Sequence, residues 1–251
     1  MGFRVRLLAP EDPPDAFPDP ARAGVALGYP DGLLAIGGDL SQPRLLQAYR
    51  QGIFPWYNDD QPILWWSPDP RAIIRVKNFH MSRSLARTLR SGTWEYSLNR
   101  AFEAVIDGCA TGRGPHGTWI TAAMRTAFLD LHRAGYAHSV ESWRDGTLAG
   151  GIYGIRLGNA FFGESMFSAC SNGSKVALSA LIGLCSDAGV ELLDAQLEST
   201  HLNQFGLELL PRVQFVADLD SLTASGRPLR DWHHGRQPAA ALARLRTHRK
   251  P

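Results

Sequence analysis

A chain of 251 residues, 44% hydrophobic and 20% charged, can bury a real core as one large domain or as a main domain with a small companion. Its net charge of +2 is too mild to argue a nucleic-acid partner by itself. No apolar run approaches the roughly 18–20 residues of a bilayer span, and the opening MGFRVRLLAP lacks a signal-peptide core, so a cytoplasmic protein without membrane contact is expected.

Residues 1–30, rich in Pro, Ala, Asp and Gly, read as an irregular lead-in. Residues 33–36 then read as a short strand and Gly37-Gly38 as a turn. Ser41 caps a helix with Pro43 in its first turn, Leu45, Leu46 and Tyr49 on its apolar face and Gly52 at its end. A non-helical aromatic segment, IFPWY, follows over 53–57, and PILWWSPDPR over 62–71 is a structured connection. Beyond it the pattern predicts a strand over 73–76, a short basic helix over 82–89 and a strand over 94–97. Asn99 is expected to cap a helix ending near Cys109, residues 112–117 to form a loop, and Thr121 to cap a helix through Met124, Phe128 and Leu131 to Gly135. Strands over 136–143 and 148–157 are joined by Asp145-Gly146, residues 214–216 give a last strand, and 239–251 form a frayed Arg-rich tail.

The stretch GGIYGIRLGNAFFGESMFSACSNGSK, residues 150–175, organises the rest. Gly158-Asn159 divides two strand-like arms of a hairpin, and in the second arm Ala160, Phe162 and Glu164 share a face. A carboxylate in line with a phenylalanine needs a reason: a buried Arg partner, a helix to cap, or a function. Ser171, Asn172 and Ser174 are cap residues for a helix carrying Val176, Leu178, Leu181, Ile182 and Cys185 on its apolar positions and ending at Gly189, after which 190–197 reads as a buried strand. Strand, helix and strand make a βαβ unit with parallel strands, so Glu164, Asp194 and Gln196 converge at the carboxyl edge of a mixed sheet, where α/β proteins bind ligands. The fold class is therefore α+β to α/β.

Nucleophilic catalysis finds little support, since there is no GxSxG elbow and no cysteine pairs with a histidine. Cys109, Cys170 and Cys185 lack CxxC spacing and the eight histidines form no HExxH, so neither a metal nor a cofactor is expected. Trp56 and Trp119 each adjoin turn residues, where an indole either packs in the core or stacks on a flat ligand. Arg83, Arg87 and Arg90 fall on one helix face, either a solvated stripe or one that follows a phosphate backbone.

GLLAIGGDLSQPRLLQAYRQGIFPWY, ILWWSPDPR, GTWIT, GESMFS and LLDAQL, in that order between about Gly32 and Pro211, resemble the leucyl/phenylalanyl-tRNA-protein transferase family. The resemblance implies a small N-terminal domain (1–69), a catalytic domain similar to the acyl-CoA N-acyltransferase fold (70–238) and a basic tail (239–251) in a monomer. It implies transfer of Leu or Phe, and less well Met, from aminoacyl-tRNA to proteins with N-terminal Arg or Lys, marking them for N-degron degradation. By the same resemblance Trp56 and Trp119 clasp the terminal adenosine, while Ile152, Phe161, Gly163, Leu178, Leu181 and Cys185 line the aminoacyl pocket. Gln196 oriented by Asp194 would position the amine and pass on its proton, and Glu164 would hold the acceptor's cationic end; the helical stripe of Arg83, Arg87 and Arg90, read from its spacing, would then be the part that holds tRNA. An acyl-CoA-dependent N-acetyltransferase is the first rival, but residues 168–174 lack the Arg/Gln-x-x-Gly-x-Gly/Ala loop that grips a pyrophosphate. A non-catalytic RNA-binding module would leave Glu164, Asp194 and Gln196 without a task.

Overall fold

The computed structural model describes residues 4–22, 30–111, 119–225 and 227–245. An N-terminal four-stranded sheet is built from β1 (Arg6–Leu8), β2 (Leu33–Gly37), β3 (Phe54–Pro55) and β4 (Leu64–Trp66), in the order β1-β2-β4-β3, with α1 (Gln42–Arg50) between its second and third strands. The lead-in is thus less irregular than expected, because β1 pairs parallel with β2. The buried Arg44 of α1 fixes the turn after β1 by donating to the carbonyls of Pro10, Asp12 and Pro13 at 3.2, 2.8 and 3.2 Å.

The larger sheet comprises β5 (Arg71–Arg75), β6 (Trp94–Leu98), β7 (Ala137–Arg144), β8 (Thr147–Leu157), β9 (Ala160–Ser168), β10 (Leu192–Gln196), β11 (Glu208–Leu210) and β12 (His234–Pro238). Their order is β11-β5-β10-β9-β8-β7-β6-β12, mixed, with β9 and β10 parallel neighbours across the crossover helix α5 (Gly173–Asp187). The other helices are α2 (Arg83–Arg90), α3 (Phe102–Ala110), α4 (Ala122–Ala134), α6 (Thr200–Asn203) and α7 (Arg212–Thr223). One face of the sheet packs on α5 and α2 through Val140, Ile152, Phe161, Leu178, Leu181 and Leu85. The opposite face shares a continuous core with α1, α3, α4, α7 and the N-terminal sheet, where Tyr49 and Trp65 belong to the same cluster as Phe128, Tyr153 and Phe215. Among the described residues no helix is long and apolar enough to cross a membrane.

Several expectations change. Residues 214–216 lie inside α7, whose Phe215 and Leu219 are spaced to bury one helical face. Asn99 does not cap α3; it holds φ +58°, and the buried Glu141 accepts the N–H groups of Arg100 and Ala101 at 3.4 and 3.3 Å instead. Asn172 precedes α5 in the left-handed region without a capping bond, and Ser168 Oγ accepts the Ser174 N–H at 2.7 Å. Residues 239–245 are not frayed: Ala239–Arg244 form a 3-10 helix that buries Ala239 and Leu242 beside α2 and α5. The loop expected at 112–117, and residues 246–251 of the tail, lie outside the described residues.

Candidate active site

Two adjacent irregularities build the site. The β8–β9 register pairs Gly154 with Gly163 and then Tyr153 with Ser165, so it skips Glu164. On the other side, β10 pairs Asp194 with Ile73 and Gln196 with Ala72 of β5, skipping Ala195, and Gln196 takes φ +64°. Bulges of this kind re-aim side chains, and a non-glycine residue in the left-handed region is strain held by its surroundings. Here the strain turns two side chains toward each other: Gln196 Nε2 donates to Glu164 Oε1 at 3.0 Å.

Glu164 is 8% exposed, and the same Oε1 accepts the Tyr49 hydroxyl at 2.8 Å. Burial pushes its pKa up to about 8; the neighbouring Asp194 adds to the rise, while the Tyr49 and Gln196 bonds and the Arg71 charge oppose it. Its Oε2 has no hydrogen-bond partner among the described residues. Burial and the Glu164 carboxyl likewise hold the Tyr49 hydroxyl well above its ordinary value, so it stays a donor.

Asp194 lies one layer deeper. Arg71 Nε and Nη2 donate to its two oxygens at 2.8 and 2.6 Å, and both residues are fully buried. Arg71 Nη1 reaches the Gly52 carbonyl at 3.0 Å, and its guanidinium lies 4.8 Å from the ring centroids of both Phe54 and Phe215. Asp194 Oδ1 also accepts the Gln196 backbone N–H at 2.9 Å, which holds the strained residue in place. Nothing in the sequence pattern links Arg71 to Asp194, because the two lie 123 residues apart.

Glu164, Gln196 and Leu197 form the wall between two cavities. The smaller, about 170 Å³, is bounded by Trp56 and Trp119 with Phe54 and Pro55. Trp56 is 42% exposed and Trp119 half-buried, so neither indole is sealed in the core. The larger, about 440 Å³, has an apolar side of Ile152, Met166, Leu178, Leu193 and Leu202 and a polar rim of Glu198, Ser199 and His201.

Of the residues expected to line the aminoacyl pocket, Ile152, Gly163 and Leu178 lie on this larger cavity. Phe161, Leu181 and Cys185 do not; they are fully buried in the core behind it. Cys185 is seven residues beyond Leu178 on α5, about 10 Å along the axis, and burial pushes its thiol up to about 12. Met166 takes a place on the wall because the bulge reverses the alternation of β9 and pairs it with Ile152. Arg83, Arg87 and Arg90 are exposed on α2, opposite the buried Leu85 and Leu89, and line neither cavity.

The N-terminus of α5, where a coenzyme pyrophosphate would sit in the first rival reading, is closed. Ser168 occupies the Ser174 N–H, Ser142 Oγ donates to the Gly173 carbonyl at 2.9 Å, and the Ala149 carbonyl stands where a side chain at Gly173 would begin.

A protonatable carboxyl paired with an amide, placed between an apolar cavity and an indole-lined cleft at the ends of parallel strands, is equipment for passing an activated acyl group to an amine. The chain is a transferase. It belongs to the leucyl/phenylalanyl-tRNA protein transferase family: the family model matches residues 73–220, and the model of the family's N-terminal domain matches residues 38–69. A leucyl/phenylalanyl-tRNA–protein transferase of Xanthomonas campestris pv. campestris (strain B100) is 49% identical over 244 residues, 96% of each chain. Those of Xanthomonas axonopodis pv. citri and Methylococcus capsulatus are 48% identical over 250 residues (98% of this chain, 99% of that one) and 46% identical over 231 (92% and 97%). Among solved structures, L-PGS from Bacillus licheniformis aligns with a TM-score of 0.39 at 10% identity, over 66% of this chain and 53% of that one.

Proposed function

We propose that this chain transfers leucine or phenylalanine, and less well methionine, from aminoacyl-tRNA to the α-amine of proteins beginning with Arg or Lys, so marking them for N-degron degradation. The observation that carries this reading is the hydrogen-bonded Glu164–Gln196 pair between the two cavities. The terminal adenosine would stack between Trp56 and Trp119, the aminoacyl side chain would enter the apolar side of the larger cavity, and the ester carbon would lie over the shared wall. Residues 1–69 would supply Trp56 and Tyr49, and residues 70–238, in an acyl-CoA N-acyltransferase-like arrangement, would carry the chemistry. Arg83, Arg87 and Arg90 would meet tRNA phosphates away from the reacting atoms.

In this mechanism the amine nitrogen attacks the ester carbonyl, a C–N bond forms, and the bond to the ribose oxygen breaks. The proton lost by nitrogen ends on that oxygen. An α-amine has a pKa of about 7.7–8.0, so a carboxyl held at about 8 exchanges a proton with it at almost no cost. Gln196 positions the nitrogen, and its strained backbone, held by Asp194 and Arg71, keeps the amide aimed.

Incubation with labelled leucyl-tRNA and a protein beginning with Arg should place label on that N-terminus, and none when the Arg is replaced by Gly. No labelling, with leucyl-tRNA demonstrably bound, would overturn the reading. Replacing either Trp56 or Trp119 by Ala is expected to weaken binding of aminoacyl-tRNA roughly 10- to 100-fold, as loss of one base stack does. Gln196→Ala should leave that affinity intact and stop transfer; direct binding measured beside single-turnover transfer separates the two effects.

A further inference from the structure

We propose that Glu198, at the rim of the larger cavity, is the carboxylate that receives the cationic side chain of the acceptor's first residue. The proposal rests on the function just given and places the acceptor's cation at Glu198 rather than at Glu164, the acid expected from the resemblance. Three carboxyl groups line this cavity: Glu164, Asp194 and Glu198. Asp194 is fully buried with both oxygens bound to Arg71, so its charge is already neutralised and out of reach. Glu164 is almost as enclosed, spends Oε1 on Tyr49 and Gln196, and keeps its proton near neutral pH because of burial. A guanidinium or ammonium entering there would have to be desolvated against a neutral carboxyl, at high cost.

Glu198 has neither handicap. It is exposed, and among the described residues no cation is paired with it. Asn203 Nδ2 donates to its Oε1 at 3.0 Å, which orients the carboxyl and leaves the other oxygen for a ligand. The nearby Lys175 is directed to Gln204 Oε1 at 3.4 Å, and its charge is felt at His201. Glu198 lies two residues after Gln196, so their Cα atoms are separated by at most about 7 Å. An Arg or Lys side chain carries its charge over a similar distance from its own α-amine. An acceptor with its amine at Gln196 thus extends its cation toward the acidic rim, while the apolar side of the cavity stays with the aminoacyl group. One water-facing oxygen serves ammonium and guanidinium alike, which fits a site that takes both Lys and Arg.

The test uses the full chain, leucyl-tRNA and peptides beginning with Arg, Lys or citrulline, the last an uncharged near-isostere of Arg. Glu198→Gln should raise KM for the Arg and Lys peptides about tenfold, with kcat and the KM for leucyl-tRNA retained, and should erase the preference for Arg over citrulline. Glu198→Lys should raise the same KM further, about a hundredfold, and citrulline should become the better acceptor. An unchanged Arg-to-citrulline ratio in both variants overturns the proposal. If wild-type protein transfers nothing to the Arg peptide, the proposed function itself falls, a result distinct from transfer that ignores residue 198.

Discussion

Glu164→Gln is expected to give a protein more stable than wild type above pH 7 and almost devoid of transferase activity. In the unfolded chain a glutamate titrates near 4.5, whereas burial holds Glu164 at about 8 in the folded protein. Between those values the unfolded chain has released its proton and the folded chain has kept it. Stability therefore falls as pH rises from about 4.5 to about 8 and is level above, the opposite sense to a salt-bridged carboxylate. The gap corresponds to at most roughly 5 kcal/mol. Glutamine retains an oxygen for the Tyr49 hydroxyl and the Gln196 amide, matches the neutral acid in shape, and never pays the cost of a buried charge. Denaturant midpoints at pH 5.5 and 8.5 should drop for wild type and drop less for the variant. Comparing the two chains isolates Glu164 from the buried Glu141, whose pKa is also raised by burial, and from His138, which burial lowers to about 3. Without a titrating group at 164, transfer should slow by about 10²–10⁴, the usual worth of a placed general acid–base group. Parallel pH curves, or near-normal activity in the variant, would remove Glu164 from the chemistry.

That two acids and an amide meet at one edge was legible in the sequence because each signal is local. Gly158-Asn159 announces the hairpin, the apolar spacing from Val176 to Cys185 announces the crossover helix, and chirality makes the flanking strands parallel. What period-two alternation cannot reveal is a skipped residue. Bulges at Glu164 and Ala195 decide which way Met166 and Gln196 point, and they depend on pairing with neighbouring strands rather than on the residues' own propensities. The partners Tyr49 and Arg71 were equally out of sight, 115 and 123 residues from the acids they hold. Residues 214–216 carry the β-branched and aromatic content of a strand, although Phe215, Leu219 and Leu222 follow a helical spacing. Strand β12 combines His, Gly, Arg, Gln and Pro and gave no strand signal; its pairing with β6 is imposed by tertiary context.

Arg71→Met should destabilise the chain by roughly 3–5 kcal/mol, the cost of leaving a buried carboxylate without its partner. Asp194 is sealed from bulk solvent: both residues are fully buried, and beyond Arg71 the carboxylate has the Gln196 backbone N–H. The substitution also strands the Gly52 carbonyl and empties the slot between Phe54 and Phe215, so it loosens the seam between the N-terminal sheet, α7 and β10. Arg71→Lys should recover little, because an ammonium cannot span both carboxylate oxygens while reaching Gly52 and filling the slot between the rings. Adding Asp194→Asn to Arg71→Met should restore much of the loss, since the asparagine oxygen still accepts the Gln196 N–H and no uncompensated charge remains. Transfer should stay impaired in the double variant even where its urea midpoint recovers, because Gln196 then rests on a neutral hydrogen bond in a backbone conformation that resists it. A single Arg71→Met costing less than about 1 kcal/mol would mean that water or a rearranged side chain satisfies Asp194, and that Gln196 is aimed by something other than this ion pair.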